Sequence, residues 1–368
     1  MLGDRLLNAN ERAIAIARFP ADIARLTIER ATLNARMHRF EPANELLARA
    51  AYRIECDALH ALDAELAFAR GYIAYLSRRV LDGLEEIKAA RAAAIDQPIL
   101  LARIDGLLSL ILCRLGVLDA AERVAERALA CAQATDDDRA LYHAWMAVGA
   151  CHRSHGNDAP SYSAYMKASK YARDLDDELS QTAVLHHLVG LTVERLRRGT
   201  LTTPKQLEAA EREIEAAERF AERHDTGWGM VQARVVRGMI EAAAQRHHAA
   251  VEALNCALPN AIGVRSWEET VWGYVCLARS LVVLSRLDRA ETASKEALRV
   301  ADMSSAYVLR LGAREARVEF LRSLGREHEA AILHREVESL REHSAREQHQ
   351  LKETIELALS AADLSHAY

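Results

Sequence analysis

The sequence predicts an all-α protein in which helical hairpins stack one upon the next, and three observations carry that reading. The first is composition: 16 Gly and 6 Pro in 368 residues are too few for the turns that a β-sandwich or barrel of this length requires. Abundant Ala, Leu, Glu and Arg instead suit helices, because these side chains lose little rotamer freedom there. The second is a set of small residues recurring at a nearly fixed interval. The third is a Gly-bearing or polar string between successive helical stretches.

Residues 1–20 read as a leader helix. Met1-Leu2-Gly3-Asp4-Arg5 acquires an acid and a base before any apolar run, unlike a secretion signal. The repeats fill residues 21–340. Leu115-Gly116-Val117-Leu118-Asp119-Ala120-Ala121, Leu284-Ser285-Arg286-Leu287-Asp288-Arg289-Ala290 and Leu324-Gly325-Arg326-Glu327-His328-Glu329-Ala330 each read as a tight turn followed by a small residue on the next helix. Carried along the chain, that residue becomes Ala43, Gly83, Ala121, Ser161, Ala210, Ala250, Ala290 and Ala330, at spacings of 40, 38, 40, 49, 40, 40 and 40. Seven residues later stand Ala50, Ala90, Ala128, Ala168, Ala217, Ala257 and Ala297, with Val337 the exception. Twelve residues earlier stand Ala31, Gly71, Ser109, Gly149, Gly238 and Ala278, with Val318 the exception; in repeat five Gly190 takes the part at a distance of 20. Each repeat is therefore helix A, a short turn and helix B, with small residues where the two cross closely. Repeat five carries an insertion around Arg197 to Pro204, and strings such as Thr135 to Asp138, Asp174 to Glu178 and Asp225 to Gly227 join one repeat to the next.

These columns resemble the tetratricopeptide repeat (TPR) superfamily, whose helical hairpins carry small residues at the eighth, twentieth and twenty-seventh places and Gly in the turn. The resemblance covers about residues 21 to 340 and departs in period, 40 here against the usual value of about 34. It implies a right-handed superhelical solenoid of about eight hairpins, like the arrays that sense or scaffold in bacterial signalling and transcription regulators.

Thirteen residues before the small column of helix B stand Arg30, Arg70, Arg237 and Arg317, and two residues after it stand Glu45, Glu85 and Glu252. Repeats lacking the Arg also lack the Glu. The pattern predicts Arg30–Glu45, Arg70–Glu85 and Arg237–Glu252 ion pairs between helices A and B of one repeat, partly buried, so that deleting one partner costs about 3–5 kcal/mol.

The resemblance further implies that helix A lines an inner groove. Its lining places fall on Arg25, Ile28, Thr32 and Arg36 in repeat one, and on Glu65, Phe68, Tyr72 and Tyr75 in repeat two. They continue with Arg103, Leu110 and Arg114, then His143, Met146 and Arg153, then His187, Glu194 and Arg195, then Trp272 and Arg279, and finally Glu315, Glu319 and Arg322. The first five repeats thus bring six Arg and two His against two acids to the groove of a chain whose net charge is −5. Arg suits planar recognition of a carboxylate or phosphate. The Asn-containing clamp of chaperone-binding TPR domains has no counterpart at these places. Tyr142, Trp145, Tyr162, Tyr165 and Tyr171 cluster in repeat four, as a local core or a ligand pocket.

No catalytic or metal site is expected. Cys151-His152-Arg153-Ser154-His155, His186-His187 and His247-His248 lack the spacing of a zinc site. No phosphate loop, GxGxxG or GxSxG is present, and nothing supplies a nucleophile; no cofactor is implied. The six cysteines are scattered without CxxC and read as buried residues in a reducing cytosol. With 48 basic against 53 acidic residues, direct nucleic-acid binding is not expected, and the longest apolar run, Leu107 to Cys113, is too short to span a membrane. Residues 341–368 read as a helix that caps the stack, or as a connector into an output domain or a dimer with a second copy. The expectation is a cytoplasmic, non-catalytic interaction or sensory scaffold that captures an acidic protein segment in an Arg-lined groove. The other reading is a module that senses a small anion and controls a fused or separate output domain.

Overall fold

The computed structural model describes residues 2–223, 227–264, 266–304 and 306–364; Asp225 and Thr226, in the predicted string between repeats five and six, lie outside them. Among the described residues there is no strand. Helix α1 (Leu2–Ile16) leads, and the A and B helices then alternate. Repeat one is α2 (Pro20–Arg36) and α3 (Phe40–Cys56), repeat two α4 (Asp63–Leu76) and α5 (Val80–Ala93), repeat three α6 (Pro98–Leu115) and α7 (Leu118–Thr135). Repeat four is α8 (Asp138–Ser154) and α9 (Asp158–Asp174), repeat five α10 (Glu178–Arg197) and α11 (Pro204–Arg223), repeat six α12 (Gly227–Ala243) and α13 (His247–Gly263). Repeat seven is α14 (Trp267–Val283) and α15 (Leu287–Asp302), and repeat eight α16 (Tyr307–Ser323) and α17 (Glu327–Leu364). The last helix is one piece of 38 residues, so the segment after residue 340 continues helix B of repeat eight rather than starting a helix of its own.

Every A helix stops in the same way. A residue with positive φ follows it, at His38, Arg78, Gly116, Gly156, Gly199, Gln245, Ser285 and Gly325. The next amide then donates to the carbonyl five residues back: Arg39 to Asn34, Arg79 to Ala74, Val117 to Leu112, Asn157 to His152, Thr200 to Arg195, Arg246 to Glu241, Arg286 to Leu281 and Arg326 to Leu321. This closure satisfies carbonyls that the helix end would otherwise leave open. Four of the eight turns use Gly, which takes positive φ without the Cβ clash; the other four hold ordinary residues in the same conformation. The insertion of repeat five ends in a capping arrangement, in which the Gln206 side chain accepts from the amides of Thr202 and Thr203 and the Gln206 amide donates to Thr203 Oγ1, with Pro204 in the first turn.

The small columns sit where predicted. Ala43, Ala121, Ser161, Ala250, Ala290 and Ala330 have no exposed surface, and Ala31, Ser109, Ala50, Ala90, Ala128 and Ala168 are at most 1% exposed. A Cβ added at Gly149 would come within 2.6 Å of the Tyr165 ring, and one added at Gly71 within 2.6 Å of Ile87. Where the small residue is Ser, its hydroxyl bonds the facing column: Ser109 Oγ donates to the Ala121 carbonyl and Ser161 Oγ to the Gly149 carbonyl, both at 2.8 Å.

The predicted ion pairs within a repeat are not formed, and a different rule takes their place. Arg30 reaches back to Glu11 on α1 (3.3 Å), Arg237 to Glu218 on α11, and Arg317 to Glu291 on α15 (2.5 Å). Glu85 holds Lys88 on its own helix at 3.0 Å, and Glu45, Arg70 and Glu252 have no ion pair among the described residues. The Arg thus faces helix B of the preceding repeat, or the leader in the first. The reason is the small column itself: A and B of one repeat approach so closely there that no long side chain fits between them, whereas the wider seam to the previous helix B admits a guanidinium. Asp105, 1% exposed and about one turn before the small residue of α6, carries the opposite charge and serves both seams. It accepts from Arg91 on the preceding helix B (3.1 Å) and from Arg127 on helix B of its own repeat (2.7 Å).

The chain divides into two compact bodies within α10, between Val184 and Leu185. In the N-terminal body, repeats one and two share a core of Ala24, Ile28, Leu47, Ile54, Leu66 and Ile73. In the C-terminal body, Val193, Ile214, Met239, Ile240, Leu254 and Leu281 belong to one core that runs through repeats five to seven.

Candidate functional site

In the N-terminal body the inner places of helices A converge on one another. Arg36, at the end of α2, donates to both carboxylate oxygens of Asp177 at 3.2 and 3.0 Å and to Ser180 Oγ at 3.1 Å. Asp177 precedes α10 and accepts from the Ser180 amide at 3.0 Å and from the Ser180 hydroxyl at 2.8 Å. Burial alone would raise the Asp177 carboxyl; the charge and hydrogen bonds of Arg36, with those of Ser180, carry it down to about 2. Tyr72 and Tyr142 lie against this bridge. Burial holds both phenols protonated, above their ordinary range.

Beside the bridge, Arg103 on α6 lies over the Phe68 ring at 4.9 Å, and His143 on α8 meets the same ring edge-on at 6.2 Å. The Nε of Arg103 is shut off from solvent and has no hydrogen-bond partner. Burial and the neighbouring Arg139 bring this guanidinium down to about 10. The nearest acids are already engaged, Glu65 by Arg25 at 3.2 Å and Asp137 by the Ala140 amide at 2.8 Å. Burial, then Arg103 and Arg36, push the His143 imidazole well below its ordinary value, so it is neutral at pH 7. The cluster therefore presents a half-buried cation with no ion pair among the described residues, its Nε shut off from solvent and its plane flanked by rings.

About three turns further along α6, Arg114 lies 4.0 Å over the Tyr75 ring and donates to the Tyr75 carbonyl at 3.2 Å; Arg153 stands close enough to weigh on its charge. Arg36, Tyr72, Arg103 and His143 thus come together, and Tyr75, Arg114 and Arg153 form an adjoining set. Of the aromatic group in repeat four, Tyr165 is wholly buried against Gly149 and belongs to the core, while Trp145 lies under Lys167 at 3.8 Å.

The predicted residues of the C-terminal body are dispersed. Trp272 stacks under Arg197 at 5.5 Å, Arg279 pairs with Glu319 at 2.8 Å, His187 meets His186 edge-on at 5.5 Å, and Arg195 is half-buried. An open cleft of about 330 Å³ lies between α14, α15 and α16, lined by Val275, Val282, Ser294 and Phe320; of the predicted groove residues Arg279 and Glu319 touch it. A buried polar chain that the sequence did not reveal runs from His186 Nδ1 to Gln232 Oε1 (3.0 Å), from the Gln232 amide to Glu269, and from Ser266 Oγ to Glu269 (2.7 Å). Among the described residues no three His, Cys, Asp or Glu side chains converge as metal ligands would, and no helix is long and apolar enough to cross a membrane.

Asp177 was legible only as part of the polar string Asp174 to Glu178, and Ser180 was not singled out. An Asp three residues ahead of a Ser at the start of a helical stretch is the signal that could have marked them as a helix cap.

No protein-family model matches the chain, and a search of curated proteins found no match. Solved structures do resemble it. A Rap protein complexed with Competence and Sporulation Factor superposes with a TM-score of 0.65 at 14% identity, over 94% of this chain and 93% of that one. A signal-transduction ATPase from Pyrococcus horikoshii with a tetratricopeptide repeat sensor superposes with a TM-score of 0.60 at 15% identity, and this chain spans 52% of its length. Aspartyl phosphate phosphatase F from Bacillus subtilis gives 0.53 at 10% identity, over 76% of this chain and 71% of that one. With eight A–B hairpins, their small columns in register and these structural neighbours, the chain has the fold of the TPR-like helical-repeat proteins.

Proposed function

We propose that the chain is a non-catalytic regulatory module, cytoplasmic and of bacterial type, which takes an acidic segment of a peptide or protein partner on the inner helices of its N-terminal body. The observation that carries this reading is Arg103, a half-buried cation with no ion pair among the described residues, held over an aromatic ring. A carboxylate side chain set against the outer face of the Arg103 guanidinium, beside Phe68 and His143, would supply a counter-charge. The structural neighbours support the class: one is complexed with Competence and Sporulation Factor and another carries a TPR sensor.

The test is an array of acidic, neutral and basic peptides probed with wild type, Arg103→Ala and Arg103→Lys. Acidic peptides should be retained by wild type and lose about 10-fold or more in affinity with Arg103→Ala, the worth of one charge-assisted hydrogen bond. Arg103→Lys should recover only part of the loss, because an ammonium lacks the planar fork. Equal retention of acidic and neutral peptides, or indifference to both variants, refutes the reading. Inorganic phosphate bound by wild type in the absence of any peptide binding would favour the small-anion sensor instead.

A further inference from the structure

Two of the six cysteines meet. Cys113, in the last turn of α6, and Cys151, in the last turn of α8, belong to consecutive repeats, and their sulfurs stand 3.5 Å apart. Cys151 is buried and Cys113 is partly open to solvent. Ser109 Oγ lies 3.3 Å from Cys151 Sγ while its hydroxyl reaches the Ala121 carbonyl, so the column that brings helices A and B together also fixes one side of the sulfur pair. We propose that Cys113 and Cys151 are an oxidisable dithiol, a site at which hydrogen peroxide or an organic hydroperoxide installs a disulfide tying the inner helices of repeats three and four.

The geometry requires little movement. A disulfide needs the sulfurs at about 2.05 Å, a closure of about 1.5 Å that side-chain rotation on two helices can supply. The chemistry is balanced by the peroxide. The thiolate of the pair attacks one peroxide oxygen, the O–O bond breaks, the other oxygen leaves with a proton as water or alcohol, and a sulfenic acid remains. The second sulfur attacks that sulfenic sulfur, the S–O bond breaks and water departs. Two thiols are oxidised by two electrons and one peroxide is reduced. Hydrogen bonding from Cys113 favours the thiolate at Cys151, and the same bond raises the Cys113 thiol.

The bond would lie beside Arg114, the next residue after Cys113, and two residues from Arg153. It would fix the spacing between two inner helices that the acidic-segment reading assigns to the receiving surface. That consequence for binding rests on the proposed function; the bond itself does not.

The experiment exposes the full chain to graded hydrogen peroxide under native conditions, followed by digestion without reductant and mass spectrometry. The expected result is a linked Cys113–Cys151 peptide and a loss of two hydrogens from the intact mass, before the exposed Cys56 and Cys256 are fully oxidised. Dithiothreitol should reverse both. The thermal midpoint should rise by several degrees, because the link closes a loop in the unfolded chain, and Cys113→Ser should abolish that rise while the reduced proteins melt alike. The proposal is overturned if Cys113 and Cys151 stay reduced, or are sulfonated separately, at doses that oxidise Cys56. Peptide affinity measured on reduced and oxidised protein separates the two ideas: a linked pair with unchanged affinity leaves the dithiol standing and removes its role at the groove.

Discussion

Four ordinary residues, His38, Arg78, Gln245 and Ser285, hold the left-handed conformation that Gly116, Gly156, Gly199 and Gly325 hold elsewhere. The strain is tolerated because the hydrogen bond from the following residue closes each helix regardless of the side chain. A left-handed residue with a Cβ costs about 1–2 kcal/mol, part of which Gly would return as extra freedom of the unfolded chain. Ser285→Gly should therefore stabilise the protein by about 0.5–1 kcal/mol, read as a higher urea midpoint at constant slope; a lower midpoint would show that the Ser285 side chain contributes more than its strain costs. The same residues explain what was hidden in the sequence. The turns at Gly116, Gly156, Gly199 and Gly325 were legible because Gly marks them, whereas Arg78 and Gln245 carry no mark of positive φ.

Between elements, the Arg36–Asp177 bridge sets the acid sensitivity of the N-terminal body. Its carboxyl lies at about 2 in the folded protein against an unperturbed 3.8. A carboxyl held low contributes stability above the unfolded value and loses it as the pH falls through the folded one. The contribution, about 2 kcal/mol at pH 7, should be complete above pH 5 and fade between about pH 4 and pH 2. Urea unfolding of wild type and Asp177→Asn should show a gap of that size at pH 7, shrinking steadily as the pH is lowered toward 2; a gap independent of pH would assign the effect to packing. The Arg residues on helix A teach a related lesson. Their recurrence was legible, but spacing alone cannot say which neighbour a side chain faces. The closeness of A and B within a repeat, set by Gly149 against Tyr165 or Gly71 against Ile87, decides it, and that is a property of packing.

At the scale of the whole molecule the repeat register was legible throughout, since each small column had to be buried for the hairpins to close. The site was legible in part: the inner places of the N-terminal body came together as Arg36, Tyr72, Arg103 and His143, but those of the C-terminal body did not. The inner places of helix A follow from a local period, whereas the partners that complete them come from distant segments that no period encodes. Asp177, 141 residues from Arg36, is the clearest case. Stacked repeats touch mainly their neighbours, so damage at distant positions should add. Gly149→Ala, which would press on Tyr165 at 2.6 Å, and Gly238→Ala, which would press on Leu254 at 2.7 Å, should each cost about 1–3 kcal/mol. Their sum should match the double variant within about 0.5 kcal/mol, as equilibrium unfolding can measure.

The bridge from Arg36 to Asp177 breaks that nearest-neighbour rule inside the N-terminal body. A stack that grows one hairpin at a time can start anywhere and needs no last piece. A stack whose first inner helix is pinned to the start of its fifth has a final event, the clasp, which cannot form until the three hairpins between have taken their places. It acts as a checkpoint on assembly: a hairpin out of register leaves Arg36 and Asp177 unpaired, two half-buried charges with nothing to hold.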